Sequence, residues 1–198
     1  MKVLFISLGC DKNLVDSEHM SGILSNAGHE FTQDEMEADV IIINSCCFIH
    51  DAKEESIHTI FEMAVYKEHG NCKALVLAGC LAQRYYKEIK TEIPEIDICI
   101  GTTAIDEIAR ALDCFFEKKE KVQFIEDINK LSGVDAPRNL STFGNSAYLK
   151  IAEGCDKHCT YCIIPKIRGS YRSVDMETLI KEAEGLAERG IKELILVA

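Results

Sequence analysis

Apolar residues in this chain fall into short continuous blocks separated by stretches of helical period. Val3–Ile6, Asp39–Ile43, Ala74–Leu77 and Ile96–Ile100 are such blocks. Without internal alternation, and too short for helices, they read as strands buried on both faces of a sheet. Between them the period changes. Met20, Ile23, Leu24 and Ala27 stand at i, i+3, i+4 and i+7, with Gly28 as a stop. Asp51 and Glu54 have the spacing of a capping box, ahead of Ile57, Ile60, Phe61 and Ala64 on one helical face. A helix over 83–92 runs up to Pro94, and Ile105, Ile108, Ala109 and Leu112 stripe a further one.

From about Lys118 to Ser146 the rhythm breaks. Gly133, Pro137 and Gly144 lie in a stretch with little periodicity beyond a short apolar segment near Val122–Ile125, so it reads as a linker. Ala147–Ala152 then forms a new strand, Met176, Leu179, Ile180, Ala183 and Leu186 mark a helix that Gly190 ends, and Leu194–Val197 begins another strand. The expectation is an α/β protein in three stretches. Residues 1–117 form a parallel-sheet domain of Rossmann or flavodoxin type, 118–146 link, and 147–198 form a first β-α-β portion of a (β/α) barrel. Such a portion is expected to be a fragment, inactive alone.

Charge adds a constraint. The net charge of −11 resides wholly in the first 143 residues, because the remainder holds eight Lys/Arg and eight Asp/Glu. That acidic portion has no electrostatic footprint for phosphate backbones, which argues against nucleic acid as a partner for it. The one basic run, Lys166–Arg172, is open to two readings, a solvated loop or a contact for an anionic ligand. No apolar stretch approaches a membrane span, and the start of the chain reads as a strand rather than an export signal. A soluble cytoplasmic protein follows, in which clustered cysteines mean metal or catalysis rather than disulfides.

The chain holds ten cysteines. Cys155, Cys159 and Cys162 form C-x3-C-x2-C inside IAEGCDKHCTYCIIPKIRGSYRS. Three soft thiolates suit three irons of a cubane cluster and leave the fourth iron open to a cosubstrate. Ferredoxin spacing differs. A zinc knuckle using His158 is the alternative, although zinc sites favour C-x2–4-C pairs with a distant second pair.

A second set emerges from the strands. LFISLGC, VIIINSC and LVLAGC each end on a cysteine, Cys10, Cys46 and Cys80, preceded by a small residue, Gly9, Ser45 or Gly79. In a parallel sheet the carboxyl ends of the strands share one edge, where open α/β sheets place ligands. The three are therefore candidates for a second three-thiolate metal site, against the plainer reading of unrelated rim cysteines. Cys47, Cys72, Cys99 and Cys114 lack the pattern and read as small core or surface residues, with Cys47 a conceivable substitute for Cys46.

With SLGCDKNLVDSE, ADVIIINSCCFIHDAKEES, LAGCLAQRY and the triplet segment in order, the chain resembles the methylthiotransferases, radical S-adenosylmethionine (SAM) enzymes with a second iron–sulfur cluster. The resemblance implies two [4Fe–4S] clusters, an auxiliary one on Cys10, Cys46 and Cys80 and a SAM-binding one on Cys155, Cys159 and Cys162. Tyr161 falls where the family has an aromatic residue beside its cofactor. Gly9-Cys10-Asp11-Lys12-Asn13 looks like the branch that modifies an aspartate of small-subunit ribosomal protein twelve, with Asp11 where that branch commonly has Pro and Cys47 where it has Gly or Ala. The implied chemistry is reductive cleavage of SAM, hydrogen abstraction at the aspartate β-carbon, sulfur insertion and methylation by a second SAM. An electron donor such as flavodoxin or ferredoxin and a sulfur donor are implied partners. No acid–base residue is singled out, and Lys157, His158, Lys166, Arg168 and Arg172 are candidates to support SAM or a reductant. Two alternatives stay open: a transfer-RNA methylthiotransferase, and an iron–sulfur electron-transfer or sensor protein.

Overall fold

The computed structural model describes residues 1–133, 135–141 and 144–198. Strands β1 (Lys2–Ser7), β2 (Glu30–Phe31), β3 (Val40–Ser45), β4 (Ala74–Gly79), β5 (Ile98–Ile100) and β6 (Val122–Phe124) form one sheet in the order β2-β1-β3-β4-β5-β6. Every pairing in it is parallel. This is the flavodoxin-like strand order, with its topological switch point between β1 and β3.

The sheet is covered on both sides. Successive side chains of a strand point to opposite faces, so Ile41, Ile43, Leu75 and Leu77 enter one core while Val40, Ile42, Ala74 and Val76 enter the other. Helices α2 (His50–Ala64) and α4 (Cys80–Glu92) supply Ile60, Leu81 and Ile89 to the first core. On the second face α1 (Asp11–Asn26) and α5 (Ile108–Lys118) supply Met20, Leu24, Ile108 and Leu112. A short helix, α3 (Tyr66–His69), and a 3-10 turn at Ile105–Glu107 complete this part.

Several local expectations are corrected. Helix α2 begins at His50 with Ile49 as its N-cap, and no side chain caps it. Asp51 therefore lies inside the first turn and makes no capping box with Glu54; its charge still favours a helix N-terminus. Phe61 of the expected apolar face is half exposed, and Ser56 is buried beside Ile60 instead. Ser56 earns that place by bonding the backbone of Cys46, accepting from its N–H at 3.0 Å and donating to its carbonyl at 2.9 Å. The stretch 118–146, which includes three residues outside the described ones, contributes β6 to the sheet edge.

Beyond it, β7 (Ser146–Lys150) pairs in parallel with β10 (Glu193–Val197) across the helix α7 (Met176–Glu188), a β-α-β unit. Asp175 caps α7 by accepting from Thr178 N–H at 2.9 Å. The expected strand over Ala147–Ala152 is divided. Its end, β8 (Ala152–Glu153), turns to pair antiparallel with β9 (Arg172–Ser173). Between β8 and β9 lie the cysteine triplet and α6 (Ile164–Arg168).

Candidate metal centre

Register brings the first three cysteines together. Ser45 of β3 is paired with Gly79 of β4, so Cys46 and Cys80 leave adjacent strands at one level. Ser7 of β1 is paired with Asn44, and Leu8 N–H donates to Asn44 carbonyl at 2.9 Å, which delivers Cys10 to the same edge as the N-cap of α1. The switch point of the sheet thus lies between the exits that carry Cys10 and Cys46.

The small residues before each cysteine have a steric reason. Gly9 has φ +94°, and a Cβ there would come within 2.7 Å of Cys46 Cβ. Gly79 has φ +88°, and a Cβ would lie 2.3 Å from Asn44 Oδ1. Neither approach is open to a residue with a side chain. Ser45, wholly buried, donates to Ala78 carbonyl at 2.6 Å and joins the two strand ends.

Asn13, one turn into α1 and wholly buried, sits among the sulfurs. Its Nδ2 donates to Leu8 and Ser45 carbonyls, both at 2.9 Å. Its Oδ1 lies 3.9 Å from Cys10 Sγ and 3.8 Å from Cys80 Sγ. The same oxygen accepts a 2.6 Å hydrogen bond from Arg168. Cys10 is the N-cap of α1 and Cys80 the first residue of α4. Burial dominates at Cys80, pushing its thiol up to about 12 against the opposing charge of Arg168.

Arg168 itself revises the reading of the basic run. It closes α6 and is only 4% exposed, so it is neither a solvated loop residue nor free for an external anion. Its Nη1 donates to Asp16 Oδ2 at 2.8 Å and to Glu153 Oε1 at 3.0 Å. Lys150 completes the layer, 2.5 Å from Asp16 and 3.1 Å from Glu153. Lys12 Nζ reaches Glu153 at 3.5 Å from the rim. Burial alone would raise the Asp16 carboxyl, but Lys150 and Arg168 outweigh it and hold it at about 2. Ile167, buried in the core that includes Cys80 and Cys47, and a bond from Thr102 to Ile167 carbonyl at 3.3 Å seat α6 over the carboxyl edge of the sheet.

The triplet is held at its base and open at its tip. Cys155 N–H donates to Gly169 carbonyl at 3.0 Å, and Asp156 accepts from Tyr171 N–H at 2.9 Å. Gly154, at φ +77°, leaves room for Ser170 carbonyl, which a Cβ would meet at 2.0 Å. Cys155 and Cys162 are half-buried, whereas Cys159, Lys157, His158 and Lys166 are exposed and Tyr161 is 90% exposed. The guanidinium of Arg172 turns back onto Ser170 and Arg168 carbonyls.

Neither set of sulfurs is drawn within 4.8 Å of one another; among the described residues the only group so tight is the exposed His50, Asp51 and Glu54. A tetrahedral zinc, with Zn–S of about 2.3 Å, needs sulfurs roughly 4 Å apart. The donors are nevertheless soft, converging and three in number, which fits a multi-iron cluster. Of the other cysteines, Cys47 Sγ donates to Cys80 carbonyl at 3.3 Å and Cys72 Sγ to Ala74 carbonyl at 3.4 Å. Cys99 is buried in β5, and Cys114 is half-buried in α5. Burial raises the thiols of Cys47 and Cys72, and that of Cys99 to about 11. These are packing residues.

Asn13 and Asp16 were hidden by their polarity. They continue, with Ser17, the stripe that Met20 and Leu24 carry along α1, and all five are buried. A polar start to an apolar stripe is the signal that finds them.

The profile of the uncharacterized protein family UPF0004 matches residues 2–101. The whole chain is similar to ribosomal protein uS12 methylthiotransferases RimO, at 59% identity for that of Lachnoclostridium phytofermentans, 55% for Acetivibrio thermocellus and 52% for Clostridioides difficile. It spans about 45% of the length of these curated relatives.

Proposed function

The chain belongs to the uncharacterized protein family UPF0004, and on that premise we propose that it is the cluster-bearing portion of a radical SAM methylthiotransferase. Cys10, Cys46 and Cys80 hold one [4Fe–4S] cluster, and Cys155, Cys159 and Cys162 hold another. The observation that carries the reading is the convergence of three separate strand ends on one edge, with the triplet's loop docked over that edge through Arg168. The donor chemistry fits, since thiolates are the ligands of such clusters and three of them leave an iron open.

When bound, these groups supply reductive cleavage of SAM and delivery of sulfur and methyl to an unactivated carbon. The chain's own residues hold, orient and shield. Cys46 and Cys80 sit where water has little access, fixed by the sheet, while Gly9 and Gly79 permit their close approach. The exposed turn around Tyr161 leaves the second set reachable by SAM.

The names of the relatives support ribosomal protein uS12 as substrate over a transfer RNA, and the reading takes an aspartate of that protein as the modified residue. The reading carries with it a cytoplasmic setting, a low-potential donor such as flavodoxin or ferredoxin, and a sulfur donor. Among the described residues no helix is long and apolar enough to cross a membrane.

Anaerobic reconstitution of the full chain with iron and sulfide tests this. Iron content should halve when either cysteine set is replaced by alanine. Addition of SAM to the reduced protein should alter only the paramagnetic signal that depends on Cys155, Cys159 and Cys162. A signal indifferent to SAM would leave the electron-transfer reading standing and remove this one.

A further inference from the structure

Arg168 joins both halves of the cysteine architecture, its side chain bonding Asn13 on one side and Glu153, two residues before Cys155, on the other. It lies six residues after Cys162, its carbonyl receives the guanidinium of Arg172 at the base of the triplet loop, and its own Nη2 reaches Asn13 among the sulfurs of Cys10 and Cys80. We propose that Arg168 is a positioning residue for the cluster on Cys10, Cys46 and Cys80: it fixes a positive charge at the Cys80 side of that site and fastens the triplet's loop over it. This deepens the function proposed above and rests on that reading.

The arrangement is costly unless it serves something. A buried guanidinium must be desolvated, and the structure meets that need with two carboxylates and an amide oxygen. Asp16 and Glu153 are in turn matched by Lys150 and approached by Lys12. The layer therefore holds three cations and two anions, and Arg168 carries its charge to the Asn13 oxygen that adjoins the sulfurs of Cys10 and Cys80. Arginine suits the task because its planar fork bonds Asp16, Glu153 and Asn13 at once while its charge never titrates in the working range. Fixed charge and hydrogen bonding near the sulfurs are established levers on cluster potential. A positive charge stabilises the reduced, more negative state.

The test uses the full chain with Cys155, Cys159 and Cys162 replaced by alanine, reconstituted with iron and sulfide so that only the first set can load. Iron and sulfide content and the midpoint potential are measured for this parent and for Arg168→Met and Arg168→Lys on it. Arg168→Met should lower the reduced-to-oxidised ratio at a fixed potential about tenfold, which is about 59 mV for a one-electron couple. Arg168→Lys, which keeps the charge but loses the fork, should stay within about threefold of the parent. Should Arg168→Met fail to fold, Glu153→Gln supplies the opposite sign, because it spares Arg168 and removes one of its anions, and the ratio must then rise. An unchanged potential in Arg168→Met, a shift in Arg168→Lys equal to that in Arg168→Met, or a fall in Glu153→Gln would overturn the assignment of Arg168 alone. A parent that binds no iron would instead overturn the cluster reading on which it rests.

Discussion

Cys46 and Cys80 leave neighbouring strands at one register level and are 5% and 3% exposed, whereas Cys159 stands in a turn whose Tyr161 is 90% exposed. One set of cysteines is dispersed in sequence and gathered by a sheet; the other is contiguous in sequence and gathered by nothing but a short loop. The strand ends are set by ladders of hydrogen bonds, by glycines with positive φ and by Asn13, so their geometry is fixed by the polypeptide itself. The triplet's loop is tied at its base, by Cys155 to Gly169 and by Asp156 to Tyr171, and within its tip by Cys162 N–H to Cys159 carbonyl. The difference teaches that a proposed ligand set which is easy to see in sequence need not be the one the fold holds most firmly. It also predicts that identical substitutions will have unequal effects in the two regions.

The largest effect is expected in the charged layer that joins them. Asp16→Asn leaves Lys150 and Arg168 buried with one carboxylate between them, and loss of one partner of a buried ion network costs about 3–5 kcal/mol. Urea unfolding measures it. The layer also carries a pH signature. The folded carboxyl of Asp16 lies at about 2, below its ordinary 3.8, so its contribution is complete above about pH 4 and is lost as pH falls through about 2. That contribution is about 2 kcal/mol. The acid limb of the stability curve should flatten in Asp16→Asn, and an unaltered limb would show that Asp16 is not the group responsible.

Next comes the sheet edge itself. Gly79→Ala puts a methyl 2.3 Å from Asn44 Oδ1 in a backbone conformation that alanine resists, and a loss of about 2–3 kcal/mol is expected. Gly185→Ala, in open space on α7, is its control and should be neutral or slightly stabilising. Equal losses at the two glycines would deny that the first is shaped by its neighbours.

The legibility of the molecule divides along the same line. Strands β1, β3 and β4 and their helices were readable because burial on two faces demands continuous apolar runs and burial on one demands a stripe. Cys10, Cys46 and Cys80 could be placed on one edge from topology alone. What escaped was polar and buried. Asp16 and Asn13 occupy the inward stripe of α1, and Arg168 sits in a basic run, so hydropathy assigns all three to solvent. Their burial depends on partners more than a hundred residues away, and no local pattern encodes a salt bridge from Asp16 to Lys150. The two-residue strand β2 and the helix α6 escaped for a simpler reason, being too short to show a period. The expected capping box at Asp51 failed because two residues at the correct spacing do not fix where the chain turns helical, which here follows the extended Ile49.

Cysteine-to-serine exchanges bring the comparison to single atoms. Cys80→Ser places a hydroxyl, which desolvates at greater cost than a thiol, at a position buried in the same core as Leu81 and Ile167. About 1–2 kcal/mol should be lost in metal-free protein. Cys159→Ser, exposed, should change stability by less than about 0.5 kcal/mol. The contrast matters because both positions are assigned the same role. A loss at Cys159 as large as that at Cys80 would mean that the loop is packed more firmly than its exposure indicates.

The smallest expected effect is at Tyr161, and it separates a structural from a binding role most cleanly. At 90% exposure the ring buries almost nothing, so Tyr161→Ala should leave metal-free stability within about 0.5 kcal/mol and leave iron uptake unaltered. An aromatic ring held in water, between two proposed ligands, gains a function only if something covers it. If SAM does so, Tyr161→Ala should weaken the SAM-induced change in the paramagnetic signal of the reconstituted chain without shifting the unfolding midpoint. A variant that unfolds at lower denaturant would place the ring in the packing of the loop, and a variant unchanged in both would remove Tyr161 from the cofactor site.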